Sequence, residues 1–200
     1  MIEFISLSVL MFCSTDIDDL FVLITFFADR RFRTRDVVAG QYIGMAVLFG
    51  ISVSCSLTLF SIPKTEIGLL GLVPILVGGR KLYLLWREKR KVDELAQSYT
   101  TGAGILTVAA LTMANGGDNI AVWTSLFATH SAFEIALAAL VFTVMIGAWC
   151  LSAGWLARHP ALAVHFQRYG HKVVPFVLIG LGLIILFEAG SVDLLRHGIR

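Results

Sequence analysis

A chain that places Asp16, Asp18 and Asp19 in the middle of an apolar run cannot leave that run facing lipid unless each carboxylate has a partner. The run covers residues 2–28. That is long enough to cross a bilayer, which takes roughly 20 apolar residues. At the centre of a lipid-facing helix each aspartate costs about 2.5–3.5 kcal/mol. Each Leu, Ile, Phe or Val returns only about 0.3–0.6 kcal/mol. The carboxylates are therefore expected to face protein, water or a cation. A second polar interruption, Asn115-Gly116-Gly117-Asp118-Asn119, falls inside another apolar run. The two breaks are expected to meet near mid-membrane as one site.

The 200 residues are 57% hydrophobic and 15% charged, against about 25% charged in a soluble domain. The pattern predicts an all-α integral membrane protein, one domain over residues 1–200, with spans near 2–28, 37–62, 67–86, 102–128, 133–156 and 173–189. Pro63 is expected to end the second span; Pro74 and Pro175 are expected to kink the third and sixth. Gly68, Gly71, Gly78 and Gly79 permit close helix packing. Thirteen of the 16 lysines and arginines, with Arg80 and Lys81 counted among them, fall on the linkers after the first, third and fifth spans. Lys64, Arg196 and Arg200 fall on the other side. Positive-inside bias then puts both termini outside. No basic segment precedes the first apolar run, so no cleaved signal is expected. The basic linker at residues 87–91 suits anionic headgroups rather than nucleic acid.

The two halves, about residues 1–94 and 95–200, repeat. A shift of 100 lays Asp18-Asp19-Leu20-Phe21-Val22 on Asp118-Asn119-Ile120-Ala121-Val122 and Phe27-Ala28 on Phe127-Ala128. A shift of 101 lays Leu72-Val73-Pro74 on Val173-Val174-Pro175. Three spans per half is an odd number, so the halves would be inverted relative to each other. Two inverted three-helix repeats, each with an interrupted first helix, form a transporter pattern with the site at the repeat interface.

Adjacent Gly116 and Gly117 lower helix propensity by about 1 kcal/mol each, and unwound backbone is tolerated at membrane depth where it lines a cavity. Asp16, Asp18, Asp19, Asp118, Asn115 and Asn119 supply oxygen ligands for a divalent cation. Two carboxylates would neutralise the ion, and a third would leave room for proton coupling. Thr15 and Ser14 can stabilise the first break by bonding to freed backbone. Thr15, Gln41, Gly116 and Gly117 are candidates to line the path, with Gln41 and Tyr42 near the inner end of the second span as vestibule or interfacial anchor. Cys13 is either a soft ligand suited to cadmium or zinc or a packed core residue. Cys55 and Cys150 are expected to pack, and Met113 to fill core. The five histidines fall in or near linkers, and no HxxxH or CxxC pattern supports a soluble-type zinc site. The competing structural reading has the aspartates pairing with basic residues or capping broken helices. With no Arg or Lys placed in the apolar core of a span, buried ion pairing is not expected.

The segments Thr15-Asp16-Ile17-Asp18-Asp19-Leu20-Phe21, Gly40-Gln41-Tyr42-Ile43-Gly44, Leu69-Leu70-Gly71-Leu72-Val73-Pro74-Ile75, Ala114-Asn115-Gly116-Gly117-Asp118-Asn119-Ile120 and Ile179-Gly180-Leu181-Gly182 carry a resemblance. In them the chain resembles the bacterial cadmium-resistance transporter family, within the lysine-exporter superfamily. The resemblance implies a six-span protein of the bacterial plasma membrane that exports cadmium first and zinc second. It maps the family's aspartates onto Asp18 and Asp118, whereas Asp16 departs from the family's usual uncharged residue. Two alternatives stay open: export of another cationic solute such as an amino acid, and intramembrane aspartyl proteolysis. The Gly-x-Gly-Asp pattern of the latter fails at Asn115. No resident cofactor is expected, because the metal is cargo. No nucleotide-binding loop is present, so a gradient, most simply of protons, would drive transport. Small-residue faces are compatible with a homodimer.

Overall fold

The computed structural model describes residues 1–58, 68–87 and 104–188, which are helical apart from short connections. Helices α1 (Ile2–Thr15) and α2 (Ile17–Ala28) are separated by Asp16 alone. Helix α3 covers Thr34–Thr58. A 3-10 turn, Gly68–Gly71, leads into α4, Leu72–Arg87. Helices α5 (Ile105–Asn115) and α6 (Gly117–Phe127) are separated by Gly116 alone. Helices α7 (Ala132–Leu156) and α8 (Pro160–Glu188) complete the order.

Both breaks are one-residue kinks. Asp16 sits at φ −101°, ψ 8° and Gly116 at φ −83°, ψ 18°, the sparsely populated bridge region. The ladder resumes at once on either side. The Asp16 N–H donates to Phe12 O at 2.9 Å, and Leu20 N–H donates to Asp16 O at 3.1 Å. The Gly116 N–H donates to Thr112 O at 3.0 Å, and Ile120 N–H to Gly116 O at 3.1 Å. The chain is thus bent rather than unwound, contrary to what the double glycine suggests. Ser14 Oγ donates back to Met11 O at 2.8 Å, a bond of the kind that bends helices. Trp149 Nε1 on α7 donates to Asp16 O at 2.9 Å, which fixes the first kink.

The packing is reciprocal between the halves. Helix α3 lies along α5 and α6, α7 lies along α1 and α2, and α4 lies along α8. Tyr42 Oη on α3 donates to Thr143 O on α7 at 2.9 Å. Phe12, Trp123 and Phe127 are fully buried. Phe142 on α7 stands 4.7 Å from Trp123 and 5.3 Å from Phe12, ring centre to ring centre, so one aromatic cluster joins both broken helices to α7. In the loop before α3, hydrogen bonds from Arg31 hold the Asp29 carboxyl below its usual range.

Several expectations change. Among the described residues, only α3 and α7 are long and apolar enough by themselves to cross a membrane. Helices α1 and α5 are apolar but cut short by the kinks. Pro74 lies in the first turn of α4, where a missing N–H costs no bond within the helix, so it does not interrupt that helix. Pro175 is inside α8, as expected. The expected polar linker before the sixth span is largely helical, because Pro160 opens α8 at its first position. Met113 is 40% exposed rather than core filling, and Cys55 is exposed while Cys150 is buried. Pro63, Lys64, the linker from residue 88, Arg196 and Arg200 lie outside the described residues.

The contact of α8 with the 3-10 turn that leads into α4 depends on glycine. A Cβ on Gly71 would stand 2.6 Å from Gly182 O and 3.0 Å from Leu186 Cγ, whereas one on Gly79 meets nothing within 4 Å. Gly71→Ala is expected to lower the thermal midpoint of the detergent-solubilised protein, at a cost of about 1–3 kcal/mol for the overpacking. Gly79→Ala should be neutral or gain up to about 1 kcal/mol of helix propensity. Equal midpoints for the two variants would contradict this close contact.

Candidate cation site

The kinks put carboxylates at helix starts. Asp18 lies in the first turn of α2 and Asp118 in the first turn of α6, where the helix dipole favours negative charge. Lys81 reaches both from α4. Its Nζ is 2.5 Å from Asp18 Oδ2 and 2.8 Å from Asp118 Oδ2. The three side chains keep partial exposure, 22% for Lys81, 30% for Asp18 and 18% for Asp118. This overturns the expectation that no basic residue pairs with the buried acids. It also moves Lys81 out of the set of loop charges that fixes orientation.

A second layer is fully enclosed. Asp16 is buried, and its Oδ1 accepts from Asn119 Nδ2 at 2.5 Å. Thr15 Oγ1 accepts from Trp123 Nε1 at 3.3 Å. The same hydroxyl is 3.1 Å from both Asp16 Oδ2 and Met11 O, so its single proton serves one of them at a time. Asp19 is also buried, and its Oδ2 accepts from Gln41 Nε2. Gln41 Oε1 in turn accepts from Thr112 Oγ1 at 2.7 Å. The half-buried Asn115 interacts with Asp19 as well. Among the described residues Asp16 and Asp19 have neutral donors and no Lys or Arg partner. Two buried oxygens, Asp19 Oδ1 and Asn119 Oδ1, have no hydrogen-bond partner. Each such group carries a desolvation cost of about 1–3 kcal/mol.

The fold thus brings Asp16, Asp18, Asp19, Asn115, Asp118 and Asn119 to the meeting point of the two breaks. Gln41 belongs to the enclosed network and not to a vestibule surface. Gly116 is buried against Leu48, and Gly117 is exposed with open space beside it. Cys13 is half-buried and lies three positions before Asp16. No group of three or more His, Cys, Asp or Glu is gathered as a preformed metal cluster among the described residues. Sequence reasoning missed Lys81, Thr112, Trp123 and Trp149. The usable signal was Lys81 itself, which the apolar segment Leu82-Tyr83-Leu84-Leu85-Trp86 follows within the same span. Chemically, the site offers carboxylate and amide oxygens, which suit hard or borderline cations, and one nearby thiol, which suits soft ones.

The family model for cadmium resistance transporters matches residues 12–197, which include both kinks, α4 and every acid named above. No curated relative and no solved structure matches the chain. The matched family is one of membrane transporters and not of enzymes, which removes the aspartyl-protease alternative. The match covers most of the chain, and this protein belongs to the cadmium resistance transporter family.

Proposed function

We propose that the chain exports divalent metal ions, cadmium first and zinc second, from the bacterial cytoplasm by secondary active transport. The observation that carries this reading is the convergence of Asp18 and Asp118 on a single cationic nitrogen. Two carboxylates so placed have the charge and spacing to share one divalent ion. Asp16, Asp19, Asn115 and Asn119 lie deeper and supply further oxygens, including the two without partners. Cys13 adds a soft ligand within reach of the first kink. A second reading, export of a cationic amino acid, has one observation in its favour: the group between the carboxylates is a primary ammonium. Protection of growth against cadmium, measured beside lysine efflux, separates the two.

The architecture we propose is six spans in two inverted repeats. Its supports are the kinks 100 residues apart and the reciprocal packing of α3 and α7 on the broken helices. The basic linkers then face the cytoplasm and both termini lie outside. Cysteines introduced at Ser191 and Ser98 test this: an impermeant reagent on intact cells should label the first and miss the second. The reverse pattern would overturn the orientation.

Asp18→Asn and Asp118→Asn should each abolish cadmium export at normal membrane expression. The double variant should be no worse than either single one, because residues acting as a unit are non-additive. Substantial export by either single variant would make these acids structural.

Moving two charges out against an inside-negative potential costs about 4.6 kcal/mol per 100 mV. With no nucleotide-binding loop in the chain, proton exchange is the proposed source of that energy. In proteoliposomes a cadmium gradient should drive counter-movement of protons, read with a pH dye, and Asp18→Asn should abolish it. Cadmium flux with no proton movement and no response to an imposed pH gradient would indicate a uniporter instead.

A further inference from the structure

The acid pair already holds a cation that belongs to the chain. Lys81 Nζ takes one oxygen from each carboxylate, at 2.5 Å and 2.8 Å. We propose that Lys81 is a tethered competitor for the transported ion: its ammonium holds the Asp18–Asp118 pair in the unloaded protein and leaves it when a divalent cation binds. This rests on the pair being a cation site, as argued above.

Geometry requires exclusion. Oxygen-bound divalent cations sit roughly 2.0–2.6 Å from their ligands. An ion bonded to the same two Oδ2 atoms would stand almost where Nζ stands. Charge points the same way. Two carboxylates with one ammonium carry a net charge of −1. An ammonium and a divalent ion held by the same two oxygens would repel each other at close range, whereas exchanging one for the other leaves the pair itself neutral. Mobility permits the exchange, because the lysine stem is flexible and the Lys81 side chain is 22% exposed, so it has a path out.

A tethered ammonium also keeps weakly held ions off the pair. Displacing it costs a monovalent and a divalent ion the same, so their affinity ratio is unchanged, but the weaker monovalent binding is suppressed while a divalent ion, with twice the charge, still binds. Lys81 thereby sets which ions occupy the pair at a given concentration, and the unloaded site never has to hold two unpaired carboxylates in apolar surroundings, an arrangement that is strongly destabilising.

The test is calorimetric titration of the purified full chain with cadmium chloride, in potassium chloride and in choline chloride of equal ionic strength. Lys81→Gln should bind cadmium about tenfold or more tightly than the unaltered chain, the scale expected when a charge-assisted hydrogen bond no longer has to break. Lys81→Arg should stay close to the unaltered chain. Potassium should weaken binding relative to choline in Lys81→Gln only. If Lys81→Gln binds cadmium no more tightly, while the Asp18→Asn/Asp118→Asn double variant loses binding, the competitor role is overturned and the acid pair stands. Cadmium binding that survives the double acid substitution would overturn the pair and the competitor together. A measurement on the unaltered protein guards against misfolding of the variants. Saturating cadmium should raise amine-directed labelling of Lys81 severalfold relative to Lys89, read by mass spectrometry. Unchanged or reduced labelling of Lys81 would overturn the proposal.

Discussion

Charge in apolar surroundings governs this structure, and the contact that settles it is the ammonium of Lys81 between Asp18 and Asp118. That contact ties α4 to the first turns of α2 and α6, three elements widely separated in sequence. An unpaired carboxylate there would be strongly destabilising. Several other features serve the same end. The kinks place both acids at helix starts, where the dipole favours them. The Gly71–Gly182 approach seats the turn before α4 against α8, and α4 presents Lys81 to the acids.

Behind the ion-paired layer the chain uses a different device. Asp16 accepts from Asn119 and lies within hydrogen-bond distance of the Thr15 hydroxyl, and one oxygen of Asp19 accepts from Gln41. Neutral donors stabilise these carboxylates without supplying a countercharge. Asp19 Oδ1 and Asn119 Oδ1 remain without partners in the enclosed layer. A partly exposed pair bridged by the Lys81 ammonium is followed by enclosed oxygens with unused lone pairs. Under the proposed export of a cation, this gradation would let the ion shed water stepwise.

Much of this was legible in one dimension because it rests on local chemistry. A carboxylate inside an apolar run demands a partner, so Asp16, Asp18, Asp19 and Asp118 identified themselves, and the offset of 100 located the second break. Lys81 was not legible. Charge counting treats a lysine near the end of a span as a loop residue, yet its stem carries the ammonium several ångströms from its own backbone. Thr112 and Trp123 looked like ordinary span residues, and only the packing of α3 on α5 and of α6 on α1 gives them polar partners. Pro74 was misread, and the start of the last helix was placed too late, for one shared reason. A proline kinks a helix or starts it according to its position from the first turn, and sequence locates helix starts poorly. Gln41 was placed too near the surface because depth within an apolar run cannot be read from its neighbours alone.

Asp18 and Asp118 are proposed to form a cation site that Lys81 occupies in the unloaded protein. A crystal of the cadmium-loaded protein, measured at a wavelength with strong anomalous scattering from cadmium, tests it most directly. An anomalous peak is expected within bonding distance of both carboxylates, with Lys81 Nζ withdrawn from between them. Cadmium bound elsewhere, with the Lys81 bridge to both acids intact, would contradict it.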